Sequence, residues 1–391
     1  RKINWSNWIM TPFLKHTQTP GKRHEIDEIL APVLFLQNMF AHQVLDPAWS
    51  LRRNALKLTG ITSLLIYVIL GTIYFMRAAD NSHLYSEAIF TLIIIYQFTF
   101  QVLFFVLYRS TFRKVYAMAK LTIFEIVKEI SPERSVHLIS LFKNMVKAVF
   151  LLILTPTLQY LGTALWFYLG GERVTLSPST SILMPTSSPT FEVGLFSHTV
   201  FFIMVASGTL TVNMWFVFLT CFLCEACDCA VQVLKIEKKC NNDNVYANRL
   251  NAALGTFYSV HVKLMEYNCK HFYKLQDLYI FYVCTFVLFL LQDVNWQLAI
   301  VVLVEFVEVS AYNLLGERIK SKAEQMKMAL LRFDWRNMSA KDQKNYCIIM
   351  CYMNKDFGVR TAAVVDLSLL TLSSIYKGSY QAYAVFNTMN N

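Results

Sequence analysis

Glycine and charge are both scarce in this chain: 12 glycines in 391 residues, and only 16% of positions Asp, Glu, Lys or Arg. With glycines so few, and none arranged to bind phosphate, no phosphate-cradling loop is present, and neither is an HExxH zinc helix or a G-x-S-x-G nucleophile elbow. These absences speak against an enzyme and call for no cofactor. No internal repeat is found, so the inverted-repeat architecture of many transporters gains no support. The sequence opens on Arg1 instead of Met, and a trimmed start is expected. Nothing in it resembles a cleavable signal peptide, which leaves the first apolar stretch as its own insertion signal.

What is abundant is apolar length. The chain is 55% hydrophobic, and its apolar stretches run roughly over Lys57–Met76, Ala88–Tyr108, Val146–Leu169, Leu195–Cys224, Phe272–Leu291, Gln297–Leu315 and Val359–Phe386. Each is near the ~20 residues that cross a bilayer as a helix. Backbone polar groups in lipid must pair internally, so uninterrupted apolar runs of this length are helices and not strands of a barrel. The expected fold class is an all-α polytopic membrane protein with seven transmembrane helices. The expected layout is a cytoplasmic segment over 1–56, six helices over 57–315, a cytoplasmic helical anchor region over 316–358, and the seventh helix with its tail over 359–391.

Orientation follows from the basic residues. All of the 36 Lys and Arg except Lys57, Arg77, Arg173 and Lys377 fall before the first stretch or in and at the edges of the second, fourth and sixth gaps. Positive charge is retained inside, so the N-terminus is expected in the cytoplasm and, after seven crossings, the C-terminus outside. A net charge of +10 would suggest nucleic acid in a soluble protein. Here topology and anionic lipid explain it, and no nucleic-acid partner is expected. None of the nine Cys falls in an outside gap, which argues against extracellular disulfides.

The outside gaps are short, and the largest, from Gly170 to Gly194, is dominated by Ser, Thr and Pro over Ser177–Thr190. It reads as an irregular lid. No extracellular ligand-binding domain fits in such gaps, so a ligand would bind among the helices. The inside gaps are long, charged and helix-compatible, with Ala323, Met326, Leu330 and Phe333 at three and four spacing. They read as cytoplasmic extensions of the membrane helices.

Polar groups gather in unexpected places. The seventh stretch carries Asp366, Ser368, Thr371, Ser373, Ser374, Lys377, Ser379, Tyr380, Gln381 and Tyr383, which suits either a pore-lining helix or one packed by small polar residues against neighbours. Its end sets Val385 and Phe386 beside Asn387, Thr388 and Asn390, a pattern for a hydrophobic constriction at a polar mouth. Glu305 and Glu308 share one face of the sixth stretch. Without His, a nucleophile or a metal motif beside them, they read as a structural pair facing protein or water; a relay or cation-attracting role is the alternative. Cys221, Cys224, Cys227 and Cys229 lie on a helix end, where four thiolates could not converge without unwinding it, so they read as small apolar filler. Cys347 and Cys351 are read the same way.

The run Ser368-Leu369-x-Thr371, then Ser374-Ile375-x-Lys377-x-Ser379-Tyr380 and Tyr383-x-Val385, resembles the C-terminal signature of insect odorant receptors. Tyr312 and Gly316 at the close of the sixth crossing, and Asp334-Trp335 ahead of the seventh, are similar to that family as well. Where many members carry Ser-Tyr-Phe, this chain has Gln381-Ala382-Tyr383. The resemblance implies a ligand-gated, weakly selective cation channel of four subunits around a central pore, in the plasma membrane of sensory-neuron dendrites. It implies a gate at Val385, with Thr388 near the outer mouth and Gln381 a turn inward.

The resemblance also implies an odorant pocket for a small volatile organic ligand in the outer halves of the second, third, fourth and sixth helices. The residues at that depth are Phe90, Thr91 and Ile94; Gln159, Tyr160, Gly162, Thr163 and Trp166; His198, Phe201 and Phe202; and Val304 and Val307. Trp166 equally suits an interfacial anchor, and His198 a satisfied buried polar residue. The chain lacks the long cytoplasmic insertion of the family's coreceptor, so it resembles a tuning subunit. Its implied partner is that coreceptor in a heterotetramer, with a homotetramer as the other possibility. The rival readings are a seven-helix receptor docking a cytoplasmic protein, and a transporter using Glu305, Glu308 and Asp366.

Overall fold

The computed structural model describes residues 25–41, 43, 45–78, 82–173, 187–236, 243–271, 296–353, 358 and 366–390. Its helices are α1 (Glu25–Met39), α2 (Leu51–Ala78), α3 (Ser82–Met118), α4 (Phe124–Ile130), α5 (Pro132–Leu169), α6 (Thr190–Val233), α7 (Asp243–Met265), α8 (Trp296–Leu331), α9 (Ala340–Tyr352) and α10 (Leu369–Asn390). A wide turn of π-helix, Ala119–Ile123, joins α3 to α4 without a break. Among the described residues, five helices are long and apolar enough to cross a membrane, over Leu51–Arg77, Thr91–Ile130, Pro132–Leu169, Thr190–Val233 and Ala299–Leu331. The chain is an all-α polytopic protein. The expected fifth crossing, Phe272–Leu291, lies outside the described residues.

These helices are longer than a bilayer requires. At about 1.5 Å per residue, the 44 residues of α6 run well beyond a hydrocarbon core of about 30 Å. Among the described residues the gaps expected inside are thus largely continued as helix, as their periodicity predicts. The helix of the sixth crossing continues past Leu315 to Leu331 in this way, with Ile319, Met326 and Leu330 fully buried along the extension.

Helix α6 is the axis of the bundle, with both faces buried from Leu210 to Cys227. A ladder of rings holds it to its neighbours: Phe112 and Tyr116 of α3 meet Trp215 edge-on at 5.6 and 5.7 Å, and Phe142 of α5 meets Phe218 at 5.1 Å. Such edge-to-face pairs stabilise by about 0.5–1.5 kcal/mol beyond simple burial. α1 is clipped to this core by Asp27, whose carboxylate accepts from the Tyr116 hydroxyl and pairs with Lys120.

Beyond the apolar part of the bundle, α7, α9 and the end of α8 form a collar. Tyr346 stacks on Trp335 at 5.5 Å and donates to the Leu330 carbonyl at 3.0 Å, and Tyr246 donates to Asp334 at 3.1 Å. Burial beside Asp334, and the hydrogen bond to it, raise the Tyr246 pKa above 10.0. Phe333 and Leu330 are buried there as well; each large apolar side chain removed from water contributes about 1.5–3 kcal/mol.

The seventh helix departs from its sequence-based bounds. It begins at Leu369 and not at Val359; 359–365 lie outside the described residues. Asp366 and Ser368 precede the helix, so they are not membrane-depth residues within it. The Ser368 hydroxyl accepts the Thr371 N–H at 3.2 Å, as a helix-capping residue does. The start of α10 is tied to α8, since the Ser368 N–H donates to Asn313 Oδ1 at 3.3 Å and the Leu369 N–H to Glu317 at 3.2 Å.

Candidate ligand site and pore helix

The outer parts of α3, α5, α6 and α8 carry the residues expected to meet a ligand. Two ring pairs set α5 antiparallel to α6: Tyr160 stacks on Phe202 at 5.4 Å, and Tyr168 on Phe191 at 6.1 Å. This register brings Gly162 and Thr163 level with His198. Phe202 also meets Phe201 edge-on at 6.0 Å. Phe201, 2% exposed, packs into an apolar cluster with Phe98 and Ile95 of α3, Val68 of α2 and Met204. Thr91 is buried, while Ile94 and Thr163 are half-buried. The Phe90 side chain lies outside the described residues.

His198 is 1% exposed, and its ring meets Tyr67 of α2 edge-on at 6.0 Å. Neither ring nitrogen has a hydrogen-bond partner among the described residues, and the same holds for both amide atoms of half-buried Gln159. The reading of His198 as a satisfied polar residue therefore finds no support here. A close contact explains Gly208, nearly two turns along α6 from Phe201 and Phe202: a Cβ there would stand 3.1 Å from the Phe98 ring and 3.2 Å from Gln101.

Other expected residues are not brought to this group. Trp166 is 78% exposed, on a face of α5 turned away from α6, where it suits the interfacial alternative. Gly162 is also exposed. Val304 packs against the main core, and Val307 is exposed at 38%. The sequence reading missed Tyr67 because it lies on the first crossing, which depth alone did not single out.

Glu305 and Glu308 are both buried, each held by a different helix. Gln97 of α3 donates to Glu305 at 3.4 Å, and Asn213 of α6 donates to Glu308 at 2.7 Å. Each carboxyl keeps one oxygen without a partner among the described residues. The pair faces protein, as the structural reading holds. The cysteines divide: Cys221, Cys224, Cys227 and Cys229 are buried in α6, whereas Cys347 and Cys351 are exposed on α9. Their reading as apolar filler is corrected accordingly, since α9 turns that face to solvent. Among the described residues no group of three or more His, Cys, Asp or Glu could hold a metal.

At the collar, a cleft of about 760 Å³ opens between the C-terminal ends of α6 and α8 and the start of α7. Leu234, Tyr246, Leu250, Met328 and Phe333 line it, together with Lys235, Glu324, Arg332 and Asp334. Its walls come from stretches far apart in the chain, so no local pattern announces it.

α10 rests on α8 through Tyr376, stacked on Phe306 at 4.8 Å and hydrogen-bonded to Ser310 at 2.5 Å. Beyond that contact, much of its outer half stands uncovered in the single chain: Tyr380 is 72% exposed, Val385 58%, and Gln381 and Thr388 are exposed too. Ser379 is the buried exception. The Thr388 hydroxyl donates to the Val385 carbonyl at 2.7 Å, which satisfies it without a partner across the helix.

No family model and no curated protein matches the sequence. Solved structures do. The insect olfactory receptor OR5 from Machilis hrabei superimposes with a TM-score of 0.70 at 13% identity, over 92% of this chain and 97% of that one. The same receptor in complex with eugenol gives a TM-score of 0.68 at 11% identity, over 94% of this chain and 100% of that one. The chain shares the fold of these receptors over more than nine-tenths of its length.

Proposed function

We propose that this chain is an odorant receptor of the insect olfactory receptor family, acting as a subunit of a ligand-gated, non-selective cation channel. The observation that carries the reading is the likeness to a solved olfactory receptor over nearly the whole of both chains. The uncovered outer half of α10 supports it. A surface with Tyr380, Gln381 and Val385 open calls for further subunits, and four such helices around an axis would make a polar path narrowed at Val385.

A volatile ligand binds among α3, α5, α6 and α8 in the outer half of the membrane and opens the pore through a preference for the open state. The chain serves as a tuning subunit beside a coreceptor in a heterotetramer in the dendritic plasma membrane, with its N-terminus inside and C-terminus outside. Recording odorant-evoked current from cells expressing the chain, alone and with a coreceptor, tests this. Val385→Ala and Val385→Lys should change the ligand-independent conductance; conductance unchanged by both removes Val385 as the gate. A C-terminal epitope that is inaccessible on intact cells would overturn the channel reading.

A further inference from the structure

Resting on the odorant-receptor reading, we propose that the ligand is a small neutral hydroxylic volatile, an alcohol or a phenol, whose O–H is held by His198. The imidazole is 1% exposed and has no hydrogen-bond partner at either nitrogen among the described residues. Leaving a buried polar group unsatisfied is costly, so a buried ring of this kind points to a partner that arrives from outside the chain. A neutral imidazole offers one N–H donor and one lone-pair acceptor. A hydroxyl can donate to that lone pair, which the oxygen of an aldehyde or an ether, having no donor, cannot do.

The surroundings set the rest of the molecule. Tyr67 stands edge-on at 6.0 Å, and one turn further along α6 the stacked Phe202 and Tyr160 supply aromatic walls. An alkyl or aryl body fits such walls. Gln159, next to Tyr160 in the sequence, carries an amide whose oxygen and nitrogen are both buried without a partner among the described residues. An acid would arrive as a carboxylate and an amine as an ammonium. Either would bury its charge against Tyr67, Phe201 and Phe202, at a cost far above the gain of one hydrogen bond. A hydrocarbon would leave His198 as it stands.

The test uses matched compounds: hexanol against hexanal, hexane, hexanoic acid and hexylamine, and phenol against anisole, in which methylation removes the donor. Current is recorded from cells expressing the full chain with a coreceptor, and binding is measured on the purified full chain by shift of its unfolding temperature. The expected result is a preference of about tenfold for hexanol over hexanal and for phenol over anisole, the worth of one good hydrogen bond. His198→Phe should level that preference and His198→Gln keep part of it.

A preference that survives His198→Phe, or no preference in the native chain, overturns the proposal while leaving the channel reading intact. Hydroxyl-selective binding without current keeps the ligand class and overturns the channel. Absence of both binding and current overturns both. If His198→Phe fails to reach the membrane, His198→Gln and the native chain's own ranking still decide.

Discussion

Asn213 and Glu308 join α6 to α8 in the middle of the bundle: the Asn213 amide donates to the carboxyl over 2.7 Å, while its own oxygen accepts the Tyr312 hydroxyl over 2.9 Å. Far from water, a carboxyl that loses its donor has nothing to replace it. Asn213→Leu should therefore cost about 1–3 kcal/mol. Asn213→Leu combined with Glu308→Leu should cost less than the sum of the two, because both partners leave together. Unfolding of the detergent-purified variants, read as a double-mutant cycle, checks this; strict additivity would mean that the bond contributes nothing.

Gly316 is where α8 and the approach to α10 touch. A Cβ at that position would stand 2.5 Å from the Leu367 carbonyl oxygen, a backbone atom that cannot swing aside. Gly316→Ala should displace the segment that caps α10, lowering both surface expression and unfolding temperature. The same change at Gly255, with no atom within 4 Å of its Cβ, should be stabilising or neutral inside α7.

That contact also shows how far the sequence could be read. Gly316 stood out through its resemblance to a family position; its physical reason, a helix meeting a backbone, required the third dimension. The long apolar runs and the three-and-four spacing of Met326 and Leu330 were enough to define the bundle and its extensions, since periodicity records burial directly. The start of the seventh helix was not legible, because its apolar content continues upstream of Leu369 while Ser368 and its bonds to α8 set the boundary. Sequence placed His198, Phe201 and Phe202 together on the fourth apolar stretch. Their facing, and the exposure of Trp166, depended on the register of α5 against α6, to which hydropathy is blind.

Below the membrane, Asp228 gathers two cations: Lys322 of α8 lies at 2.7 Å and Arg134 of α5 at 3.2 Å, with Arg134 also reaching Glu225 at 3.3 Å. The Lys322 and Asp228 side chains are only 18% and 16% exposed, so screening is partial. Asp228→Asn should remove about 1.5–3 kcal/mol, the range for charge-assisted hydrogen bonds. Added salt should weaken the native protein towards the variant. A stability difference that stays constant from low to high salt would assign the loss to packing.

Tyr376 is the described aromatic link between α10 and α8, through its stack on Phe306 at 4.8 Å and its bond to Ser310. If ligand-induced motion of α8 reaches the pore through this link, Tyr376→Leu should raise the odorant concentration for half-maximal current. An aromatic pair of about 0.5–1.5 kcal/mol corresponds to a shift of roughly two- to tenfold. Tyr376→Phe, which keeps the stack, should shift it less. Equal shifts in the two variants would place the coupling in the hydroxyl and not in the ring.

The burial of His261 predicts that the collar loses stability in acid. It is 3% exposed within α7, its ring is stacked on Phe257 at 6.1 Å, and its Nδ1 has no partner among the described residues. Burial pushes its pKa below the ordinary 6.5. Below that value the unfolded chain takes up a proton that the folded chain refuses, so the stabilising contribution is complete above the unfolded pKa and is lost as pH falls towards the folded one. Unfolding temperature of the purified protein should drop on going from neutral pH into the acid range. His261→Phe, which keeps a ring against Phe257 without the titrating nitrogen, should flatten part of that slope. A variant with the same slope as the native chain would move the acid sensitivity to other groups.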